Sequence, residues 1–176
     1  MKKWKTVSST LAYSKRRVTV FEDIVELPNG EQTDYIVLKG GHAVAVLPIT
    51  DDNRAVLVRQ YRYPIDDFII ELPGGGTMKG ETLEASARRE LREELGLLSD
   101  DMSYLGHFYA GPSRSNTVVH LFVARGLKET DRALEPYEFI ETNCVEWGEL
   151  TRMVLANEIE DVATAYAVLL LNARSG

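Results

Sequence analysis

Three carboxylates in one short stretch, Glu90, Glu93 and Glu94, are spaced to act together. If Thr82 to Leu95 is helical, about 100° of turn per residue sets Glu94 about 40° and Glu93 about 60° from Glu90 around the axis. The acids then crowd one edge of one helix, where like charges four residues apart repel. Arginine can offset that repulsion, and Arg88, Arg89 and Arg92 are interleaved with the acids. A hard divalent cation offsets it better, because Mg2+ takes carboxylate oxygens and keeps part of its water. Gly74-Gly75-Gly76 precede the helix and allow a tight turn that aims backbone carbonyls at the same ion. Glu81 can brace that turn or reach a further ion. On spacing alone, a solvated acidic helix face behind a glycine turn is the more ordinary explanation.

The elements that must position these acids are legible as patterns. Thr82–Leu95 holds good helix formers throughout, with Leu83, Ala87 and Leu91 as a buried stripe and Gly96 as a C-cap residue. Ahead of it the chain reads as strands. Arg17–Leu27 is rich in β-branched residues, Pro28-Asn29-Gly30-Glu31 supplies a turn, and 33–38 returns, so 18–38 reads as a hairpin. His42–Ile49 and Arg54–Gln60 read as a second pair around Asp51-Asp52-Asn53. Phe68–Leu72 is a short strand that stops at Pro73. After the helix, strands are expected at Ser103–Tyr109 and Thr117–Ala124. A short helix follows Glu146, and a last helix is capped by Asp161. Mostly sheet with a few helices predicts an α+β domain or an α/β/α sandwich.

Composition narrows the partners. The 176 residues predict one domain, and 44% hydrophobic residues can fill its core. Twenty basic against twenty-seven acidic residues leave a net charge of −7, with no basic block, which argues against a nucleic-acid surface. A small anionic ligand is still allowed, since a bound cation reverses the local sign. Cys144 is the single cysteine, so an intrachain disulfide and a CxxC site are both excluded. It is expected to pack in the core. His42, His107 and His120 form no spaced metal motif and are expected to be packed or hydrogen-bonded. There is no apolar run of signal-peptide or membrane-spanning length, so a cytoplasmic protein with no membrane partner is expected.

The complete spacing goes further than the acids. Gly75, five residues, Glu81, seven residues, then Arg89-Glu90-Leu91-x-Glu93-Glu94-x-Gly96-Leu97 resembles the Nudix box at nine fixed positions over 23 residues. The resemblance to Nudix hydrolases runs over nearly the full length. It implies an α/β/α sandwich with a mixed sheet, the box forming loop–helix–loop, and Mg2+-dependent hydrolysis of nucleoside diphosphates linked to another moiety, with Mn2+ as a substitute. Carried over by position, Glu90 and Glu94 are the principal metal ligands, with Glu93 as a further ligand and the Gly74 carbonyl completing the shell. Arg89 pairs with box carboxylates and fixes their rotamers.

Outside the box the chain is similar to the ADP-ribose and nucleoside diphosphate sugar pyrophosphatase branch. The similarity is carried by Val58-Arg59-Gln60-Tyr61-Arg62-Tyr63, by Glu71-Leu72-Pro73, by Pro112 fifteen residues after Leu97, by His120–Leu127 and by Glu138-Phe139-Ile140-Glu141. It implies substrate contacts from Arg59, Arg62, Tyr61 and Glu71, and a general base on a late loop. Glu138 is the first choice for that base, then Glu141 and Glu135, with Glu93 acting from the helix as another route. Two departures stand out. Gly74 occupies a position where the branch usually has alanine, and Arg114 lies in a loop lacking the expected phenylalanine or acid. Arg114 is then a candidate for phosphate or sugar contact. The branch also implies a homodimer, with residues 1–38 as a strand extension in the interface and 39–176 as the hydrolase domain. Three rival functions are a GDP-mannose or other NDP-hexose hydrolase, an oxidised purine nucleoside triphosphate pyrophosphatase, and a non-catalytic nucleotide-sensing module. The intact acids and Arg89 argue against the last.

Overall fold

The computed structural model describes residues 2–175. The chain forms two compact units. The first comprises residues up to Gly41 together with Phe108–Val118; the second comprises His42–His107 and the chain from Val119 onward.

The first unit is built on an antiparallel meander of β1 (Lys5–Lys15), β2 (Val18–Glu26) and β3 (Gln32–Lys39). The expected hairpin is β2–β3, closed by Gly30 at φ 89° and by the Gly30 N–H bonded to the Leu27 carbonyl at 2.9 Å. The strand β1 adds a third member to the expected pair. It is exposed along all eleven residues, with Val7, Leu11 and Tyr13 among its exposed apolar side chains.

The second unit carries two sheets. One has the order β7 (Gly74–Gly76), β4 (His42–Pro48), β9 (Val118–Glu129), β8 (Leu97–Tyr109); the other has the order β10 (Ile140–Glu146), β5 (Arg54–Arg62), β6 (Asp67–Glu71). Helices α1 (Leu83–Leu95), α2 (Trp147–Leu155) and α3 (Val162–Ser175) complete it. Helix α1 packs on β4 and β7, α3 on β4, and α2 on β10 and β5, which is the α/β/α arrangement expected.

One expectation changes. Strands β4 and β5 follow each other around Asn53, which takes φ 61°, yet they join different sheets and share only the bridge Ile49–Ala55. The reason is burial. Val44 to Ile49 is buried without interruption, and so is Ala55 to Val58. Two runs that are apolar on both faces gain more as neighbouring central strands of two stacked sheets than as one hairpin. The glycine turn also has structure of its own. Gly74–Gly76 is a three-residue strand paired with β4.

Candidate active site

Local signals fix the acidic helix end to end. The Thr82 side chain accepts from the Ala85 N–H at 3.1 Å, and Gly96 closes the helix at φ 64°, its N–H bonded to the Arg92 carbonyl at 2.9 Å. Ala87 and Leu91 pack with Val44, Val46, Phe122 and Ala124, which sets the rotation of α1 on its sheet. That rotation buries Glu90 and Glu94, each 6% exposed, and leaves Glu93 at the rim.

The buried pair meets β7. The Gly74 N–H donates to Glu94 Oε2 at 3.0 Å, and a Cβ on Gly75 would fall 2.4 Å from Glu90 Oε1. Register explains why Gly74 is free to do this. The Val46 N–H donates to the Pro73 carbonyl at 2.9 Å, so the next pair, Ala45 with Gly74, exchanges no backbone bonds. The N–H and C=O of Gly74 therefore both turn away from β4, on the edge that Glu94 occupies. The close fit at Gly74 also accounts for the departure from alanine: a Cβ there would fall 2.2 Å from the Val44 carbonyl oxygen.

Arg89 organises the acids. Its Nη1 donates to Glu90 Oε1 at 2.8 Å and to Glu93 Oε2 at 3.0 Å, its Nε donates to Glu81 Oε1 at 3.0 Å, and its Nη2 donates to the Gly76 carbonyl at 3.1 Å. Glu81 is braced again by the hydroxyl of fully buried Ser86 at 2.5 Å. These bonds, Arg89 first and Ser86 second, hold the Glu81 carboxyl down at about 2. Ser86 has no fixed place in the box pattern; only its small polar side chain on the buried stripe of an amphipathic helix marks it.

The neighbouring acids behave in the opposite way. Burial pushes the Glu94 carboxyl up to about 8 against the pull of the Gly74 N–H, and repulsion from Glu90, Glu138 and Glu71 adds to the rise. Burial raises Glu90 as well, against the pull of Arg89. Glu138 thus acts on both buried acids through space. Its own carboxylate accepts from the Glu135 N–H at 2.9 Å, within the loop. Glu71 is a third buried acid, raised chiefly by burial. Arg62 Nη2 stands 2.6 Å from Glu71 Oε1, but at an angle that leaves this buried oxygen without a hydrogen bond among the described residues.

Not every predicted residue joins this cluster. Side chains alternate along β5, so Val58 and Arg62 share the face of Glu71, while Arg59 and Tyr61 take the other. There Arg59 pairs with Glu141 at 3.1 Å and lies over the Phe68 ring at 4.4 Å, and the Tyr61 hydroxyl donates to Asp66 at 2.5 Å. Glu141 faces Arg59 in the β10–β5 register and so points away from Glu71. Arg59, Tyr61 and Glu141 are therefore not brought to the buried acids within the chain. The period-two alternation of a strand already separates residues 59 and 62. Arg114 belongs to the first unit, beside Asp34 and Tyr35. Cys144 is exposed on β10 rather than packed in the core. The histidines do hydrogen-bond: His42 Nδ1 and His120 Nε2 are 2.9 Å apart, and the Tyr104 hydroxyl contacts His120 at 3.2 Å and His107 at 3.1 Å.

Among the described residues no group of three or more His, Cys, Asp or Glu side chains stands ready-made around a metal position. Arg89 lies between Glu90 and Glu93. The donor set still suits a hard cation: buried carboxylates that repel one another, and a backbone carbonyl on the same edge.

Fold and site together define a hydrolase of one family. The chain belongs to the NUDIX-domain family, whose model matches residues 40–168. It is 35% identical over 166 residues to an ADP-ribose pyrophosphatase of Bacillus subtilis (strain 168), covering 93% of this chain and 90% of that protein. It is 36% identical over 166 residues to a methanol dehydrogenase activator of Bacillus methanolicus, with the same coverage. The crystal structure of an ADP compounds hydrolase superposes with a TM-score of 0.89 at 21% identity, covering 98% of this chain and 94% of that one, which is a likeness of fold. No helix among the described residues is long and apolar enough to cross a membrane.

Proposed function

We propose that this chain hydrolyses the pyrophosphate bond of ADP-ribose or a related nucleoside diphosphate sugar, giving a nucleoside monophosphate and a sugar phosphate, with Mg2+ or, in its place, Mn2+. The observation that carries the reading is the buried pair Glu90 and Glu94 set against the Gly74–Gly76 strand. Two buried carboxylates that repel each other favour a divalent cation, and a cation there turns an acid pocket into a site for a diphosphate. The 35% identity to a pyrophosphatase of ADP-ribose supports the substrate class.

In this reading Glu90 and Glu94 hold the metal, with Glu93 and the Gly74 carbonyl completing its shell. Bound Mg2+ supplies charge neutralisation for the diphosphate and Lewis-acid activation of water. Arg89 keeps Glu90 and Glu93 in place. Arg62, half exposed and anchored on Glu71, offers its remaining N–H groups to a phosphate. Glu138 takes the proton from the attacking water; its repulsion on Glu90 and Glu94 supports its facing the same space. The exposed strand β1, with Val7, Leu11 and Tyr13, and the exposed Trp4 just before it, supports a homodimer with residues 1–38 in the interface.

The test is a product analysis by mass after incubation with ADP-ribose, ADP-glucose, GDP-mannose, UDP-glucose, Ap4A and 8-oxo-dGTP. Cleavage of the nucleoside diphosphate sugars in Mg2+, abolished by a chelator, is expected. A strong preference for the triphosphate would overturn the substrate class.

A further inference from the structure

We infer that Thr164, on α3, is a positioning residue for this site: its hydroxyl anchors the backbone at Leu72 and thereby holds the Gly74 turn against Glu94. The inference rests on the reading of Glu90, Glu94 and the Gly74 carbonyl as the cation site.

Strand β6 ends at Glu71, opposite Val58, so Leu72 lies beyond the ladder with its N–H inside the protein. Thr164 Oγ1 accepts that N–H at 2.9 Å, across 92 residues of sequence. The hydroxyl in turn donates to Asp161 Oδ2 at 2.6 Å, and Asp161 Oδ2 also accepts from the Thr164 N–H at 2.8 Å. A hydroxyl donates one bond and accepts others, so both roles are filled at once. A threonine serving only its own helix would need Asp161 alone; the bond to Leu72 leaves the helix.

The next residues leave little slack. Pro73 has no N–H, its carbonyl is taken by Val46, and the Gly74 N–H goes to Glu94. From Leu72 to Gly74 the chain crosses from one sheet to the other with three anchors, and Thr164 is the first. Thr164 is fully buried, so no water replaces its hydroxyl. Without it the Leu72 N–H must either stay unpaired or shift, and a shift carries the Gly74 carbonyl and N–H with it.

The experiment measures Mn2+ binding to the full chain without substrate, from the electron paramagnetic resonance signal of free Mn2+. Thr164→Val removes the hydroxyl and keeps the shape; Thr164→Ser keeps the hydroxyl. Thr164→Val is expected to weaken Mn2+ binding about tenfold, with Thr164→Ser staying within about twofold of wild type. Wild-type affinity in Thr164→Val overturns the inference, and so does equal weakening in both variants, which would make the methyl group the cause. If Thr164→Val does not fold, Asp161→Ala carries the test: severalfold weaker binding supports the anchor, and unchanged binding overturns it. A wild-type chain that binds no Mn2+ brings down the site reading and this inference together, whereas normal wild-type binding with an unaffected Thr164→Val brings down the inference alone.

Discussion

Gly75 and Glu90 are fitted to each other, one from β7 and one from α1: a single methyl group on residue 75 would stand 2.4 Å from the Glu90 carboxylate. The backbone of Gly75 is not in the left-handed region, so its small size is what counts. Gly75→Ala is expected to push the Glu90 carboxylate aside and lower kcat/KM for ADP-ribose in Mg2+ by about 10²-fold. Leu91 and Ala87 should keep the helix seated, so the thermal midpoint should change little. Steady-state kinetics beside a melting curve checks both halves, and full activity would show that Glu90 has room to spare.

Glu138 and Glu141 are three residues apart and electrostatically separate. Glu138 acts on both buried acids, whereas Glu141 is tied to Arg59 on the far face of β5. Glu138→Gln is expected to reduce kcat by about 10²-fold or more with KM little changed, as loss of a general base does. Glu141→Gln should leave kcat within about twofold, since it breaks only an exposed ion pair. A loss confined to Glu141→Gln would exchange the two assignments.

His120 should make the fold acid-sensitive. Burial, with His42 and His107 beside it, holds its imidazole below the usual 6.5. At this one group the folded chain binds fewer protons than the unfolded chain below 6.5, so its share of the stability is lost as pH falls. Glu94, held up at about 8, works in the opposite sense over the same window, so the share is read from the difference between two chains. Urea unfolding midpoints at pH 7.5 and 5.5 should show wild type losing stability relative to His120→Asn at the lower pH, because the amide keeps a polar contact and does not titrate. Parallel pH profiles would remove His120 from the acid response.

The strand β1 should be an interface rather than a free surface. It is exposed from Lys5 to Lys15 and carries Val7, Leu11 and Tyr13. Placing glutamate at both Leu11 and Tyr13 is expected to convert a dimer to a monomer in sedimentation velocity, at the cost of burying charge in any apolar contact. A wild-type chain that sediments as a monomer would remove the dimer.

The site shows where sequence reading succeeds and why it stops. The placing of Glu90, Glu93 and Glu94 on one helix edge, with Arg89 one turn before Glu93, follows from spacings of three and four residues, because helix geometry converts such spacing into neighbours. Gly96 is readable for the same reason: a cap acts on the adjacent turn. Other features depended on which strands lie side by side. The parting of β4 from β5 into two sheets, the meeting of His42 with His120 across 78 residues, and the Thr164 bond to Leu72 across 92 all follow from sheet order. Sheet order answers to the burial of the whole chain, in which Val44–Ile49 and Ala55–Val58 each need cover on both faces. Local sequence therefore determined the acidic helix and its family, while the tertiary structure decided which acid faces it, which arginine lies on its side of β5, and what pins the glycine strand beside it.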